Sequence, residues 1–286
     1  MDRKRVAGPE NAVAPLVEYP KDQLRWAPQQ EHRHSSKRQP EDIRPIYLKT
    51  GLINQANGSA YIELERTKIA CGVYGPRQKK ASQLSSFSGK GTLNCEFKFA
   101  TFSCQKRRHH IRDAQERELS QVLSQALAPA VRLELFPKSV VDVYVTVLEN
   151  DGLAACLAAA ITCASVALAH AGIEMLDLVA ACSGSYMTVP RNALGQPQTD
   201  ATTTAAGASR DEIWMDADLE EEKHEDGSIV LAYMPSLNQV THVLQNGRAE
   251  GAVISQSVES CIEACNKIYA VMQHSLLESI TNGKTQ

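Results

Sequence analysis

The sequence predicts an α+β fold, and three stretches carry that prediction. From Ser139 to Leu148, Val141, Val143, Val145 and Val147 alternate with Asp142, Tyr144 and Thr146, the period-two pattern of a strand with two unlike faces. From Leu153 to Ala169 no residue is charged and most side chains are small, which reads as a helix buried on all sides. From Val253 to about Ile280, the apolar positions Val258, Ile262, Cys265, Ile268, Tyr269, Met272 and Leu276 recur at helical spacing. The remaining strands group around these helices without strict βαβ alternation, which favours α+β over a doubly wound sheet.

The elements follow in order. Residues 1–40 read as a disordered tail, with Pro9, Pro15, Pro20, Pro28 and Pro40 among Gln, Arg and His and no sustained period. The basic run His32 to Arg38 reads as a solvated linker, with a transient RNA or partner contact as the alternative. Order begins near Arg44. Gly58–Leu64 and Lys68–Tyr74 form two short strands around the turn Glu65-Arg66-Thr67, and Gly75-Pro76 ends the second. Gln78–Gly91 is an exposed loop rich in Ser, Gly and Lys. Asn94–Phe102 is a strand carrying Phe97, Phe99 and Phe102; core packing suits most of these rings, and nucleobase stacking is the alternative. A basic loop, Gln105–Arg112, leads to Asp113, which can cap a helix running to about Leu135. The strand Ser139–Leu148 meets the apolar helix through Asp151-Gly152, and Ala171-Gly172 stops that helix. Leu178–Met187 is a strand and Pro190–Gly207 a polar loop. Glu212–Met215 and Ile229–Tyr233 are short strands flanking the acidic stretch Asp216–Asp226, and Asn238–Gln245 is a strand ending at the turn Asn246-Gly247. These elements divide into a part at 41–172, a part at 173–280 and a short tail at 281–286.

Composition restricts function less than it restricts compartment. The chain has 286 residues, 43% of them hydrophobic and 22% charged, an ordinary soluble balance. A net charge of −3 gives no global attraction to nucleic acid, so binding of that kind must be local. Eight cysteines without a C-x-x-C pair read as buried thiols in a reducing compartment, and neither a metal nor another cofactor is expected. The charged run Asp2 to Arg5 is unlike a secretory signal. Leu153–Ala169 falls short of the roughly 20 strongly apolar residues that span a bilayer.

Several segments together resemble the RNase PH family. Arg44-Pro45, Gly51, Ala56, Gly58-Ser59, Thr67 and Gly75-Pro76-Arg77 match its N-terminal signature. Glu149-Asn150-Asp151-Gly152, with the small-residue helix through Val166-Ala167-Leu168, matches its central segment. Met234-Pro235 and Asn238-Gln239-Val240 match the eukaryotic exosome members, and Glu116-Arg117-Glu118-Leu119 with Ala130-Val131-Arg132-Leu133 favours one ring member over its neighbours. The resemblance covers about Arg44 to Leu277. It implies an RNase PH-like fold of β-α-β-α type. It also implies partners: other RNase PH-like exosome subunits in a hexameric ring, RNA-binding cap subunits, a separate nuclease subunit and single-stranded RNA. The compartments implied are the nucleus, nucleolus and cytoplasm.

The resemblance also frames a test of activity. Family enzymes shorten RNA from its 3′ end with inorganic phosphate as nucleophile, seating that phosphate at a Gly-Thr-Arg tripeptide after the Asp-Gly turn. Here Leu153-Ala154-Ala155 follow Gly152, so the hydroxyl and the guanidinium fork that would orient phosphate oxygens are missing. The family's Gly before Thr67 is replaced at Glu65. No catalytic residue is assigned, and the expected role is a non-catalytic scaffold that lines an RNA path. The alternative is a phosphate-dependent exoribonuclease, alone or through a composite site with a neighbour. Asp226 precedes Ile229-Val230 much as the family's acid precedes its valines, but Asp216, Asp218, Glu220, Glu221, Glu222 and Asp226 read together as a solvated acidic face. For RNA backbone contacts the expected residues are Lys106, Arg107, Arg108 and Arg112, because clustered cations neutralise phosphates without reading sequence; the competing reading is a flexible charged loop. In RNase PH relatives an arginine-rich loop here faces the ring's RNA channel. His109 and His110 read as solvated.

Overall fold

The computed structural model describes residues 38–78, 89–189 and 210–283. Residues 1–37 of the tail expected at 1–40, most of the loop expected at Gln78–Gly91, the loop expected at Pro190–Gly207 and the last three residues lie outside the described residues; residues 38–40 are held by the fold, the Pro40 carbonyl accepting from the Met215 N–H at 2.8 Å. In chain order the elements are β1 (Ile46–Thr50), β2 (Gly58–Leu64), β3 (Thr67–Gln78), β4 (Thr92–Phe99), α1 (Ala114–Leu127), β5 (Ser139–Glu149), α2 (Leu153–His170), β6 (Ala180–Val189), β7 (Arg210–Met215), α3 (Leu219–Glu222), β8 (Gly227–Met234), β9 (Gln239–Gly247) and α4 (Gly251–Gly283).

Two sheets frame the fold. The first has the order β1-β2-β3-β5-β4, antiparallel except for the parallel β4–β5 pair; the second has the order β7-β6-β8-β9 and is antiparallel throughout. The valine alternation of β5 is realised: Val141, Val143, Val145 and Val147 are buried, and Tyr144 faces outward. Helix α2 packs on β2 and β3 of the first sheet and on β6 and β8 of the second, so all its side chains from Ala155 to Leu168 are buried. It is apolar enough to cross a membrane by composition, yet its burial inside the fold is that of a core helix. Its backbone comes so close to β2 that a Cβ on Gly58 would lie 2.4 Å from the Ala167 carbonyl oxygen. Helix α4 covers the opposite face of the second sheet, where the Tyr186 hydroxyl hydrogen-bonds Ser257 at 3.1 Å. One hydrophobic cluster runs through both sheets and α2.

Several boundaries differ from the sequence reading. Helix α1 begins at its expected cap: the Asp113 carboxylate accepts from the Ala114 N–H at 2.8 Å, and Glu116 reaches back to the Asp113 N–H at 3.1 Å. It ends at Leu127 rather than near Leu135. Pro129 has no N–H to continue the ladder, and a 3-10 turn at Leu133–Leu135 follows. Strand β3 continues past Gly75-Pro76 to Gln78, with a register shift against β5 between Tyr74 and Arg77. Strand β1 has no counterpart in the sequence reading. At the β2–β3 turn Glu65 takes φ of +51°, a left-handed conformation that glycine adopts more readily.

All eight cysteines are free, and only Cys104 is not buried. Burial pushes the Cys95, Cys156, Cys182, Cys261 and Cys265 thiols up, which keeps them protonated and unreactive.

Candidate functional site

Strands β4 and β5 run parallel and end together, and the chain then does two things at that end. After β4 it forms the basic loop. After β5 it turns through Asn150-Asp151-Gly152 into α2. The two are joined where the Asn150 N–H donates to the Ser103 carbonyl oxygen at 2.9 Å. Gly152 caps α2 with φ of +105°, offers no side chain to its first N–H groups, and leaves them pointing outward as an anion seat.

That seat is filled from within the chain. The Glu222 carboxylate, at the end of α3, accepts a hydrogen bond from the Leu153 N–H at 2.8 Å, and the Ala154 N–H also bonds it. Helix α3 is set by its own capping box, in which Glu221 accepts from the Asp218 N–H at 3.1 Å. Asp151 reinforces the arrangement by accepting from the Leu219 N–H at 3.3 Å. A cavity of about 220 Å³ opens beside Glu222, floored by Leu119, Val122, Leu153 and Leu157 and edged by Glu118 and Glu225. Burial pushes the Glu222 carboxyl up, the charges of Glu225 and Asp151 add to this, and the Leu153 and Ala154 N–H groups only partly offset it. Burial also raises Glu225 and Asp151.

The acidic stretch is therefore not the solvated face that the sequence suggested. Asp216, Asp218 and Glu221 are buried and Glu222 is half-buried; only Glu220 and Asp226 are exposed. Asp226, singled out by its spacing from Ile229-Val230, lies at the start of β8, where its N–H donates to the Tyr186 carbonyl at 3.0 Å. The carboxylate that reaches α2 is Glu222. Its signal was the Asp218-x-x-Glu221 capping pattern, which starts a helical turn and carries Glu222 to the next position.

Below the seat lies Arg44, 2% exposed. Its Nε and Nη2 donate to the two Asp216 carboxylate oxygens at 2.8 and 2.7 Å, its backbone N–H donates to the same carboxylate at 3.1 Å, and Nη1 stands 3.5 Å from the Asp151 carboxylate. Burial alone would raise Asp216, but the hydrogen bonds and charge of Arg44 outweigh it and hold this carboxyl below the usual aspartate value.

The basic loop is closed by a backbone bond from the Arg108 N–H to the Thr101 carbonyl at 3.1 Å. The four cations expected on it divide into two pairs. Arg108 lies 4.0 Å over the Phe99 ring and donates to Cys104 Sγ at 3.2 Å and to Gln115 Oε1 at 3.0 Å. Arg112 donates to Ser120 Oγ at 2.7 Å. Lys106 and Arg107 are exposed, and among the described residues neither has an ion pair. His109 and His110 are exposed. Phe97 and Phe99 are core residues, whereas Phe102 is 72% exposed. Among the described residues no group of three or more His, Cys, Asp or Glu side chains is placed to hold a metal ion.

A pH response follows from Glu222. Its raised value means that the folded state favours the neutral carboxyl, so E222Q raises stability relative to wild type at pH 7. That advantage shrinks as pH falls through the folded value of Glu222, which lies above 4.5. Melting temperatures of both proteins across pH 4 to 7 check this. The paired comparison removes the opposing response of His242, which burial lowers from 6.5. An E222Q advantage that is constant with pH would mean that Glu222 does not titrate in this range.

Comparison with known proteins places the chain among relatives. Residues 42–174 match the pattern described as the 3′ exoribonuclease family, domain 1. The chain is 38% identical to the exosome complex component mtr3 of Schizosaccharomyces pombe over 96% of each chain. It is 36% identical to human exosome complex component MTR3, covering 97% of this chain and 95% of that one. With exosome complex component Rrp41 of Cenarchaeum symbiosum it shares 34% identity over 85% of this chain and 89% of the other. Among solved structures, rice Rrp46 superposes with a TM-score of 0.66 at 21% identity, over 84% of this chain and 98% of that one, which establishes a shared fold.

Proposed function

This chain belongs to the RNase PH family, and from that premise we propose that it is a non-catalytic subunit of the RNA exosome core ring, of the type of its MTR3 relatives. It pairs with other RNase PH-like subunits in a six-membered ring, beneath RNA-binding cap subunits. It guides single-stranded RNA toward a separate nuclease during ribosomal RNA maturation and the turnover of messenger and non-coding RNA, in nucleus, nucleolus and cytoplasm.

One observation carries the reading: the Glu222 carboxylate occupies the N-terminus of α2, where the family resemblance puts phosphate. Phosphorolysis needs an anionic nucleophile held and oriented at that point. Glu222, Glu225 and Glu118 at the cavity repel such an anion, and a pair of like charges about 4 Å apart costs several kcal/mol at a protein surface. Leu153, Ala154 and Ala155 add neither a hydroxyl nor a guanidinium. The basic loop retains the other half of the family's business. Lys106 and Arg107 meet RNA phosphates, while Arg108 and Arg112 brace the loop from which they project.

The test is degradation of a labelled single-stranded RNA by the full chain, alone and assembled with RNase PH-like partners, with and without inorganic phosphate. The expected result is ring formation and salt-sensitive RNA retention, with no nucleoside diphosphates released by this chain. Neutralising Lys106 and Arg107 weakens retention and lowers the salt slope by roughly 1.4. Phosphate-dependent shortening by the chain alone overturns the reading. Shortening by the ring that disappears in D226A replaces it with a composite site.

A further inference from the structure

The exposed ring of Phe102, in the turn that opens into the basic loop, is a feature that charge neutralisation does not explain. Phe102 lies in a turn fixed on both sides. The Ala100 N–H continues the ladder to the Val147 carbonyl at 2.9 Å, and the Ser103 N–H and Oγ both donate to the Ala100 carbonyl, at 3.0 and 2.8 Å. The turn is thus ordered, and its two companion rings, Phe97 and Phe99, are buried edge to face with centroids 5.1 Å apart. Phe102 alone turns away from that cluster and gives up its hydrophobic burial.

Two cations share its loop. The Arg108 N–H to Thr101 carbonyl bond closes the loop, so that Phe102 and Arg107 are the first residues inside the closure from either end. Lys106 precedes Arg107, and both project into solvent. Stacking of Arg108 on Phe99 and the Arg112–Ser120 bond hold the loop's second half against α1 and the core. The result is a pre-ordered, exposed aromatic ring in the same closed loop as two exposed cations. An apolar protein contact would be served by the ring alone. A nucleotide chain presents what both parts need, a π-face and a negatively charged backbone repeated at each unit.

We propose that Phe102 is a base-stacking platform, on which one unpaired nucleobase of single-stranded RNA stacks while Lys106 and Arg107 hold the flanking phosphates. The inference rests on the reading of the basic loop as an RNA contact and adds a residue that recognises the base rather than the backbone. Because the ring makes no hydrogen bond, it accepts any base and prefers purines for their larger face.

The test measures the affinity of the full chain for two labelled oligomers of equal length, an oligoadenylate and its abasic counterpart, over a salt series. Phe102→Ala should weaken oligoadenylate binding at least fivefold, and as much as roughly 100-fold. It should leave the abasic affinity and the salt slope unchanged, and Phe102→Tyr should restore binding. The paired change Lys106→Ala with Arg107→Ala should weaken both oligomers alike and flatten the slope. If Phe102→Ala has no effect, or weakens both oligomers equally, while the cation variant still loses affinity, stacking is refuted and the basic-loop reading survives. If the cation variant binds as well as wild type, or wild type retains neither oligomer at low salt, both fall. Loss of ring assembly in Phe102→Ala with RNA affinity intact would assign the ring to a protein contact and overturn the proposal.

Discussion

Replacing Arg44 with alanine lowers unfolding stability by about 3–5 kcal/mol at neutral pH, the largest effect of any single change expected here. The reason is what remains behind. Asp216 is fully enclosed, sits at the strained φ of +53°, and takes three hydrogen bonds from Arg44 alone. Without the guanidinium its charge keeps only the backbone N–H of residue 44 and an ion pair with Arg38 at 3.9 Å, which together are weaker than the two short charged hydrogen bonds lost. The sign of the pH dependence then inverts. In wild type the folded value of Asp216 is depressed, so its contribution is fully present above 3.8 and is lost only as pH falls below that. In R44A burial raises the folded value, so the penalty is greatest at pH 7 and relaxes as acid protonates the carboxyl. Urea unfolding at pH 7 and pH 5 measures both. The double change R44M with D216N should recover most of the loss, because neither variant side chain needs a counter-charge and Asn tolerates the left-handed backbone at 216. Equal stabilities of R44A and wild type would mean that water reaches Asp216. The pair spans 172 residues in sequence and ties the entry to β1 to the loop after β7, so its loss also frees Asp151 beneath the seat.

That separation explains what was legible in the sequence. The valine alternation of β5, the chargeless α2 and the long amphipathic α4 are local patterns, and the structure reproduces them. Helix α1 stops short of the apolar spacing that continues toward Leu135, because Pro129 ends the ladder. Strand β1 leaves little pattern in the sequence because it is a short edge strand, Ile46, Leu48 and Thr50 half-buried and the residues between them exposed, with Pro45 and Gly51 at its ends. The site was harder still. An anion seat could be inferred from Asp151-Gly152 and the helix after it, but what fills the seat arrives from 69 residues away. Spacing pointed to Asp226, and only the fold brings Glu222 to Leu153. In the basic loop, sequence named four cations but could not tell the two that brace it from the two that project, since Phe99 and Ser120 select Arg108 and Arg112 through packing.

Gly152→Ala is expected to cost about 2–4 kcal/mol, combining strain at a sparsely populated backbone conformation with overpacking. The backbone there has φ of +105°, and a Cβ would stand 2.8 Å from the Ala217 carbonyl oxygen and 3.6 Å from a Glu222 carboxylate oxygen. Neither neighbour yields easily. Ala217 is the residue between Asp216 and Asp218, both buried and hydrogen-bonded within the same corner. The first turn of α2 must therefore lift away from α3, and the bond from the Leu153 N–H to Glu222 is the contact that breaks. Hydrogen exchange should report faster exchange at the Leu153 and Ala154 amides, with the centre of α2 unchanged. Gly172→Ala supplies the control. Gly172 also has positive φ, +73°, but a Cβ there meets nothing within 4 Å, so its cost is limited to about 1–2 kcal/mol of backbone strain. A larger loss at Gly152 than at Gly172, with exchange confined to the start of α2, isolates the close approach as the requirement. Equal losses would show that the corner relaxes and that glycine is needed at 152 for its conformation alone. On the first outcome, glycine is required at the head of α2 because the Ala217 carbonyl, held in the same corner as Glu222, packs against its α-carbon.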